Sequence, residues 1–475
     1  MTLTRIFRRV LLAWLALVGV VTPGASPPPG AQPSALAPHQ QLLREIYQEL
    51  VEINTTNSVG DNTKAAEAMA RRLLAAGFPA ADVQVLAPAP RKGNVVARLH
   101  GTGARRPLLL LAHLDVVEAN REDWSVDPFT LLERDGYFYG RGTSDDKAMA
   151  AVFLANLIRF RQERFVPDRD IIVALTADEE GGGHNGVAWL LANHRGLVDA
   201  ELALNEGGGG AIKNGVYLSN NLQASEKIVQ SYRLEVKNPG GHSSLPVKDN
   251  AISHLAAGLT RLGEFDFPVR LDEVNRTFFE RTAAIVPGAL GDDMRAIAGG
   301  SRDPQVVARL AGAGPVFNSR LRTTCVATRL EGGHATNALP QTARAVVNCR
   351  VLPGESEDEV RRTLVGVLAN DKITVTPLNQ FFPSPASPLT RDVMRTVEAV
   401  TAAMWPGVPV IPTMSTGATD SRFLRTAGIA AYGTSGMFGD IDDIRAHGRD
   451  ERLLVRSLYE GQEYLYRLAK ALASP

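Results

Sequence analysis

The sequence predicts an α/β fold, a mostly parallel sheet wrapped by helices. Three observations carry that prediction. First, Leu108 to Ala112, Ile171 to Thr176 and Leu202 to Leu204 are short continuous apolar runs, the pattern of strands buried on both faces in a parallel sheet. Second, segments with helical apolar spacing alternate with these runs, which implies helices covering the sheet. Third, each run ends in polar residues: His113-Leu114-Asp115, then Asp178-Glu179-Glu180-Gly181, then Asn205-Glu206-Gly207. The carboxyl ends of strands are where α/β sheets bind ligands.

In chain order, Arg5, Arg8 and Arg9 precede an apolar run from Val10 to Val21, followed by small residues and prolines. This is a secretory-signal pattern over residues 1–25. The run is short for a spanning helix, which needs about 20 apolar residues, so an uncleaved anchor is the lesser reading. An exported protein, periplasmic or secreted, is expected. Residues 26–39 read as a proline-rich linker. Helices are predicted over 40–53, from Leu42, Leu43, Ile46, Tyr47, Leu50 and Ile53, and over 65–76, with Gly77 as the stop. Strands follow at 83–86 and 94–99. After the 108–112 strand come a helix over 148–162, a strand at 170–177, a helix over 187–193 and a strand at 201–205.

The pattern changes near Gln223. Residues 229–236 alternate like an antiparallel strand, and 249–262 form an amphipathic helix. Residues 265–317 are poorly periodic, with short helical pieces. Strands are predicted at 322–330 and 343–351, a helix over 357–368 and a strand at 373–377. Pro383 to Pro388 reads as a linker.

Lys+Arg and Asp+Glu are equal at 51 each. That balance offers no basic excess for nucleic acid, and no charge run suggests a tail. The two cysteines, Cys325 and Cys349, read as separate buried thiols, with pairing the alternative in an exported protein.

The chemistry concentrates at the strand ends. Residues two apart on a strand share a face, so His113 and Asp115 point together. A ligating imidazole needs its other nitrogen fixed, usually by a carboxylate, and Asp115 suits that role for His113. Adjacent glutamates repel, which raises the proton affinity of one unless a cation sits between them. With His447 in Ala446-His447-Gly448, the set is two histidines and several carboxylates. Such nitrogen and oxygen donors suit zinc or manganese. Asp146 and Lys147 read as structural, forming a turn and an ion pair.

The motifs occur in a recognisable order: His113-Leu114-Asp115, Gly140-Arg141-Gly142-Thr143-Ser144-Asp145-Asp146-Lys147, Glu179-Glu180-Gly181-Gly182, Asn205-Glu206-Gly207-Gly208, Gly240-Gly241-His242-Ser243-Ser244 and the late His447. From about Gln40 onward the chain resembles the dinuclear zinc peptidases of family M20, which include aminoacylase, succinyl-diaminopimelate desuccinylase, carnosinase and carboxypeptidase S. Trp124, Pro128, Phe129 and Asp135 to Tyr139 bring it closest to the carboxypeptidase S branch.

The resemblance implies a catalytic domain from 40–224 and 381–475, interrupted by an α+β lid and dimerisation domain at 225–380. It implies two Zn2+ per chain, with Co2+ or Mn2+ as substitutes. His113 and Glu206 would hold one ion, Glu180 and His447 the other, and Asp145 would bridge them. Glu179 would be general base, and the Asp145–Asp146 peptide would be cis. Asn337, Gly417 and Arg422 would contact substrate, Arg422 through a carboxylate. His242 would reach the active site of a second subunit in a homodimer. The expected activity is metal-dependent hydrolysis of a peptide or N-acyl-amino-acid amide next to a free carboxylate. A non-catalytic, scaffolding homologue is the alternative; it would be favoured by a missing ligand or base, and none is missing. A two-metal phosphoesterase is a third reading, disfavoured by His242 and Arg422.

Overall fold

The structure is a computed structural model that describes residues 35–474. The signal-peptide reading of 1–25 and most of the 26–39 linker lie outside the described residues. The first helix, Pro38–Glu52, buries Leu43, Ile46, Tyr47, Leu50 and Val51, a stripe at helical spacing. The second, Asn62–Ala75, is capped by the Asp61 carboxylate, which accepts from Thr63 N and Lys64 N. It ends before Gly77, whose φ of +86° suits glycine.

Strands β1 (Val83–Leu86), β2 (Asn94–Leu99), β3 (Leu108–His113), β4 (Leu132–Arg134), β5 (Tyr137–Tyr139), β6 (Ile171–Thr176) and β7 (Leu202–Asn205) follow. Next come β8 (Gly209–Lys213), β9 (Val216–Glu226), β10 (Ile228–Lys237), β11 (Gly241–His242), β12 (Thr324–Gly332), β13 (Ala338–Leu339), β14 (Thr342–Val351) and β15 (Ile373–Pro377). The last are β16 (Val410–Ser415), β17 (Ala430–Gly433), β18 (Phe438–Asp440) and β19 (Arg452–Leu454).

The main sheet runs β1-β2-β6-β3-β7-β17-β9-β8-β18, with β16 also paired to β9. Its centre, β6-β3-β7-β17, is parallel throughout. Antiparallel pairs lie to either side, at β1-β2-β6 and around β9. Strand β3 shows why the apolar runs are continuous. Leu108 and Leu110 join the cluster under helices Pro38–Glu52, Lys147–Gln162 and Val455–Leu472, while Leu109 and Leu111 join the opposite cluster with Val187, Leu190 and Leu424. Alternate side chains face alternate layers, and both layers are covered.

A second sheet, β12-β14-β10-β15, is antiparallel. Helices Ala251–Glu264 and Glu357–Leu368 pack on it around Leu234, Leu255, Val347 and Leu364. The poorly periodic stretch folds as four helices, Glu273–Ala283, Ala289–Ala298, Pro304–Ala313 and Pro315–Leu321. Phe278, Phe279, Met294 and Leu310 form their shared core, together with Ile411 of β16. That core answers to a strand more than a hundred residues further along the chain, so local spacing reads weakly.

The cysteine expectation is corrected. Cys325 and Cys349 form a disulfide. They are 24 residues apart in sequence but directly opposite in the β12–β14 register, with Cα atoms 4.0 Å apart. Directly opposed residues of neighbouring strands are near enough to bridge, and only the register reveals the pairing.

Candidate functional site

The loops after β3, β6 and β7 meet the loop before the helix Lys147–Gln162 and the loop carrying His447. His113, the last residue of β3, is buried. Its Nδ1 lies 2.9 Å from the Asp115 carbonyl oxygen. A carbonyl only accepts, so Nδ1 carries the proton and Nε2 faces the carboxylates. Nε2 lies 3.1 Å from Asp145 Oδ1 and 4.0 Å from Glu206 Oε2. The other Asp145 oxygen lies 3.2 Å from His447 Nε2, which is 3.0 Å from Glu180 Oε1. One carboxylate thus sits between two imidazoles. Ligand atoms of His113, Asp145 and Glu180 lie within 4.8 Å of one another, as do those of His113, Glu179 and Glu206.

The supports differ in part from the expectation. The Asp115 carboxylate is 3.7 Å from His113 Nδ1. It accepts instead from Glu179 N at 3.1 Å and Glu180 N at 2.9 Å. Asp115 therefore orients His113 through its backbone carbonyl, and its side chain holds the turn that carries both glutamates. The Asp145–Asp146 peptide is cis. Lys147 does not pair with Asp146. Its Nζ, fully buried, donates to the Ile53 carbonyl at 2.8 Å.

Sequence reasoning missed the residue that joins the two halves of the site. Glu451 is fully buried and accepts from Arg141 Nη1 at 2.6 Å, Gly142 N at 3.1 Å, Ser144 N at 2.7 Å and Asp145 N at 3.1 Å. Arg141 Nη2 donates to the Gly448 carbonyl at 3.0 Å. The clamp ties the His447 loop to the Asp145 loop. Asp178 and Asp420 were also missed. Asp178 pairs with Lys92 at 2.5 Å, and Asp420 accepts from Asn185 Nδ2 at 2.6 Å. An acid followed by two glutamates, and an acid in Ala-Thr-Asp-Ser, were the available signals.

Burial drives the electrostatics. Asp145 is held well below the usual carboxylate range, because hydrogen bonds from His113 and His447 and their charge outweigh its burial. Burial, then the Asp145 charge, pushes Glu180 up to about 7. Burial, then Asp420 and Glu180, pushes Glu179 up to about 9 against the pull of His113. Glu206 is pushed up by burial, and its buried Oε1 has no hydrogen-bond partner among the described residues. Carboxylates crowded this way favour protons unless a cation supplies the missing charge. The orphaned Glu206 oxygen and the two free-facing imidazole nitrogens fit a divalent cation with nitrogen and oxygen ligands.

The remaining candidates lie in two other places. His242, on β11, is exposed, and its Nδ1 accepts from Ser244 N at 3.2 Å. Asn337 lies beside it, its carbonyl accepting from Ser243 N at 3.0 Å. Among the described residues no hydrogen bond or ion pair joins either to the His113 cluster. Gly417 N donates to Ser415 Oγ at 3.1 Å in the loop after β16. Arg422 lies in the short helix Ser421–Thr426, and its buried Nε has no hydrogen-bond partner among the described residues. It lines a cavity of about 430 Å³ with Lys227 and Ser231.

The profile of peptidase family M20/M25/M40 matches residues 109–471. The human (Homo sapiens) N-fatty-acyl-amino acid synthase/hydrolase PM20D1 is 30% identical over 377 residues, 76% of this chain and 73% of that protein. Among solved structures, the M20 family metallo-carboxypeptidase Sso-CP2 from Sulfolobus solfataricus aligns with a TM-score of 0.66 at 18% identity, covering 90% of this chain and 98% of that one. The Bacillus subtilis YXEP protein, a dinuclear metal binding peptidase, aligns with a TM-score of 0.55 at 13% identity, covering 92% and 98%. At these identities the two structures show a shared fold.

Proposed function

The chain belongs to peptidase family M20/M25/M40, a family of metal-dependent amide hydrolases, and from that premise we propose that it cleaves the amide bond of N-acyl amino acids, next to a free carboxylate, at a two-cation centre. The observation that carries this reading is Asp145, with one oxygen 3.1 Å from His113 Nε2 and the other 3.2 Å from His447 Nε2. The likeness to the human N-fatty-acyl-amino acid synthase/hydrolase supports the substrate class.

His113 and Glu206 would hold one cation, Glu180 and His447 the other, and Asp145 would offer one oxygen to each. Divalent cations held by these residues would supply Lewis-acid polarisation of a carbonyl and lower the pKa of a water toward neutrality. Glu179 takes the proton from the attacking water and later gives it to the leaving amine nitrogen. The hydroxyl ends on the acyl carbon and the proton on nitrogen, so a carboxylic acid and a free amino acid leave. The backbone that carries Glu179 is held by the Asp115 carboxylate, which fixes the base. Arg422, with an unpartnered Nε, would hold the amino-acid carboxylate, as a guanidinium does in two parallel bonds.

We read the sheet β12-β14-β10-β15 as part of a lid and dimerisation domain. His242 of a second copy would donate to the developing oxyanion. Export is supported by the amino-terminal pattern and by the Cys325–Cys349 disulfide, since such bonds persist in oxidising compartments.

The test pairs metal analysis with a substrate panel of dipeptides and N-acyl amino acids. About two divalent ions per chain are expected, with activity lost in chelator and regained with zinc, cobalt or manganese. Full activity at one ion per chain rules out the two-cation centre. Cleavage of dipeptides alone rules out the substrate class.

A further inference from the structure

The peptide that joins Asp178 to Glu179 is held on both sides. Its N–H donates to the Asp115 carboxylate at 3.1 Å, and its carbonyl accepts from Asn185 Nδ2 at 3.1 Å. Asp178 has φ +61°, a conformation that a residue with a side chain rarely adopts. Asn185 therefore supplies one of the bonds that set where the Glu179 side chain leaves the backbone. A primary amide has two N–H bonds to give. Asn185 Nδ2 also donates to Asp420 Oδ1 at 2.6 Å, a bond to a carboxylate and so of the stronger kind. Its own oxygen accepts from Ala188 N at 2.9 Å, which caps the helix Gly186–Asn193. With both donors and the oxygen engaged, the Asn185 side chain has one orientation.

Asp420 is 2% exposed, and its second oxygen is buried with no hydrogen-bond partner among the described residues. The influence of its side chain thus passes through Asn185. The backbone on either side is fixed from elsewhere. Thr419 N and Oγ1 donate to Glu226 at 2.8 and 2.7 Å. Ser421 Oγ accepts from Asn205 Nδ2 at 3.0 Å, and Asn205 precedes Glu206. Arg422, assigned above to the substrate carboxylate, comes next in sequence. The loop that would recognise the substrate is therefore bonded to the turn that carries the base.

We propose that Asp420 and Asn185 are a positioning pair that aims Glu179 at the attacking water. The proposal rests on Glu179 as general base. Glu180 has a separate backbone bond to Asp115 at 2.9 Å, so the pair acts on the base and leaves the metal ligands in place.

The experiment uses the metal-loaded full chain with N-dodecanoyl-leucine, or with alanyl-leucine if dipeptides alone are cleaved. Asp420→Ala should lower kcat about 10²-fold, the cost that about 1 Å of misplacement can carry, and change KM less than about threefold. Asn185→Ser keeps an oxygen for Ala188 N but cannot span Asp178 and Asp420, and it should show the same split between kcat and KM. Asp420→Asn, which keeps an acceptor facing Asn185, should recover at least about tenfold of the loss. All three should keep the metal content and thermal midpoint of the parent chain. In a Glu179→Gln background, Asp420→Ala and Asn185→Ser should each change the residual turnover by less than about threefold, because residues that act through the base do not add to its loss. A purely structural role would lower both backgrounds alike. Fully additive losses, a fall in metal content, or a kcat near that of the parent chain in Asn185→Ser overturns the positioning pair while Glu179 stands. Near-normal turnover in Glu179→Gln alone overturns the base assignment, and the proposal with it.

Discussion

Glu179 hangs from a turn whose two N–H groups bond to Asp115, while Glu180, one residue on, faces His447. In the proposed mechanism these sequence neighbours have separate work, one to move a proton and one to bind. Glu179→Gln should keep both metal ions and lower turnover by about 10²–10⁴. Metal analysis beside steady-state kinetics checks this, and near-normal turnover would move the base elsewhere. A second buried group gives a pH signature of stability. Burial pushes Lys227 from its ordinary 10.5 down to about 7, and its Nζ donates to the Arg322 carbonyl at 2.7 Å. Between about pH 7 and 10.5 the unfolded chain binds a proton that the folded chain has released. Stability therefore rises with pH across that window. Lys147, also lowered to about 7 by burial, adds to the rise. Lys227→Met should flatten part of it, read as thermal midpoints from pH 7 to 10. A slope unchanged by the substitution would mean that Lys227 stays charged in the fold.

The loop carrying His447, itself at φ +62°, is held within by Gly448 N donating to the Arg445 carbonyl at 2.8 Å and at its end by Ser125 N donating to Asp450 at 2.8 Å, while Glu451 anchors it to the Asp145 loop. Glu451→Gln leaves the Arg141 guanidinium buried without its anion, a loss of about 3–5 kcal/mol. It should lower the unfolding midpoint and weaken the ion on the His447 side, seen as fewer than two ions per chain at limiting metal. Unaltered stoichiometry and stability would show that the clamp is dispensable. The same elements show how far a sequence can be read. β3, β6 and β7 were legible because burial on both faces leaves no polar position. β9 was not, because Asn220, Gln223, Ser225 and Glu226 are buried polar residues. Their partners, such as Thr401 for Asn220 and Thr419 for Glu226, come from distant segments. The cluster was legible as motifs at strand ends. Glu451 was not, because its meaning lies in donors 306 to 310 residues earlier.

Across the molecule, the exposed His242 and the cluster that it would serve are separate in a single chain, which makes the proposed dimer testable. His242→Ala should retain metal and lose about 10²–10³ in turnover, the usual worth of one oxyanion donor. Co-expressing it with Glu179→Gln should restore part of the activity, since one site of a mixed dimer then holds both an intact base and an intact histidine. Mixed dimers that form and stay inactive would exclude action across the interface.

The Glu451 clamp also sets a clock. Asp145 and Glu451 are 306 residues apart. At about 5–20 residues per second on the ribosome, roughly 15–60 s separate the synthesis of Asp145 from that of Glu451. A nascent chain has His113, Asp145, Glu180 and Glu206 long before His447 exists. On the proposed ligand set, a translation product interrupted before His447 should bind fewer than two ions and show no amide hydrolysis, which metal analysis and an activity assay of the truncated chain would check.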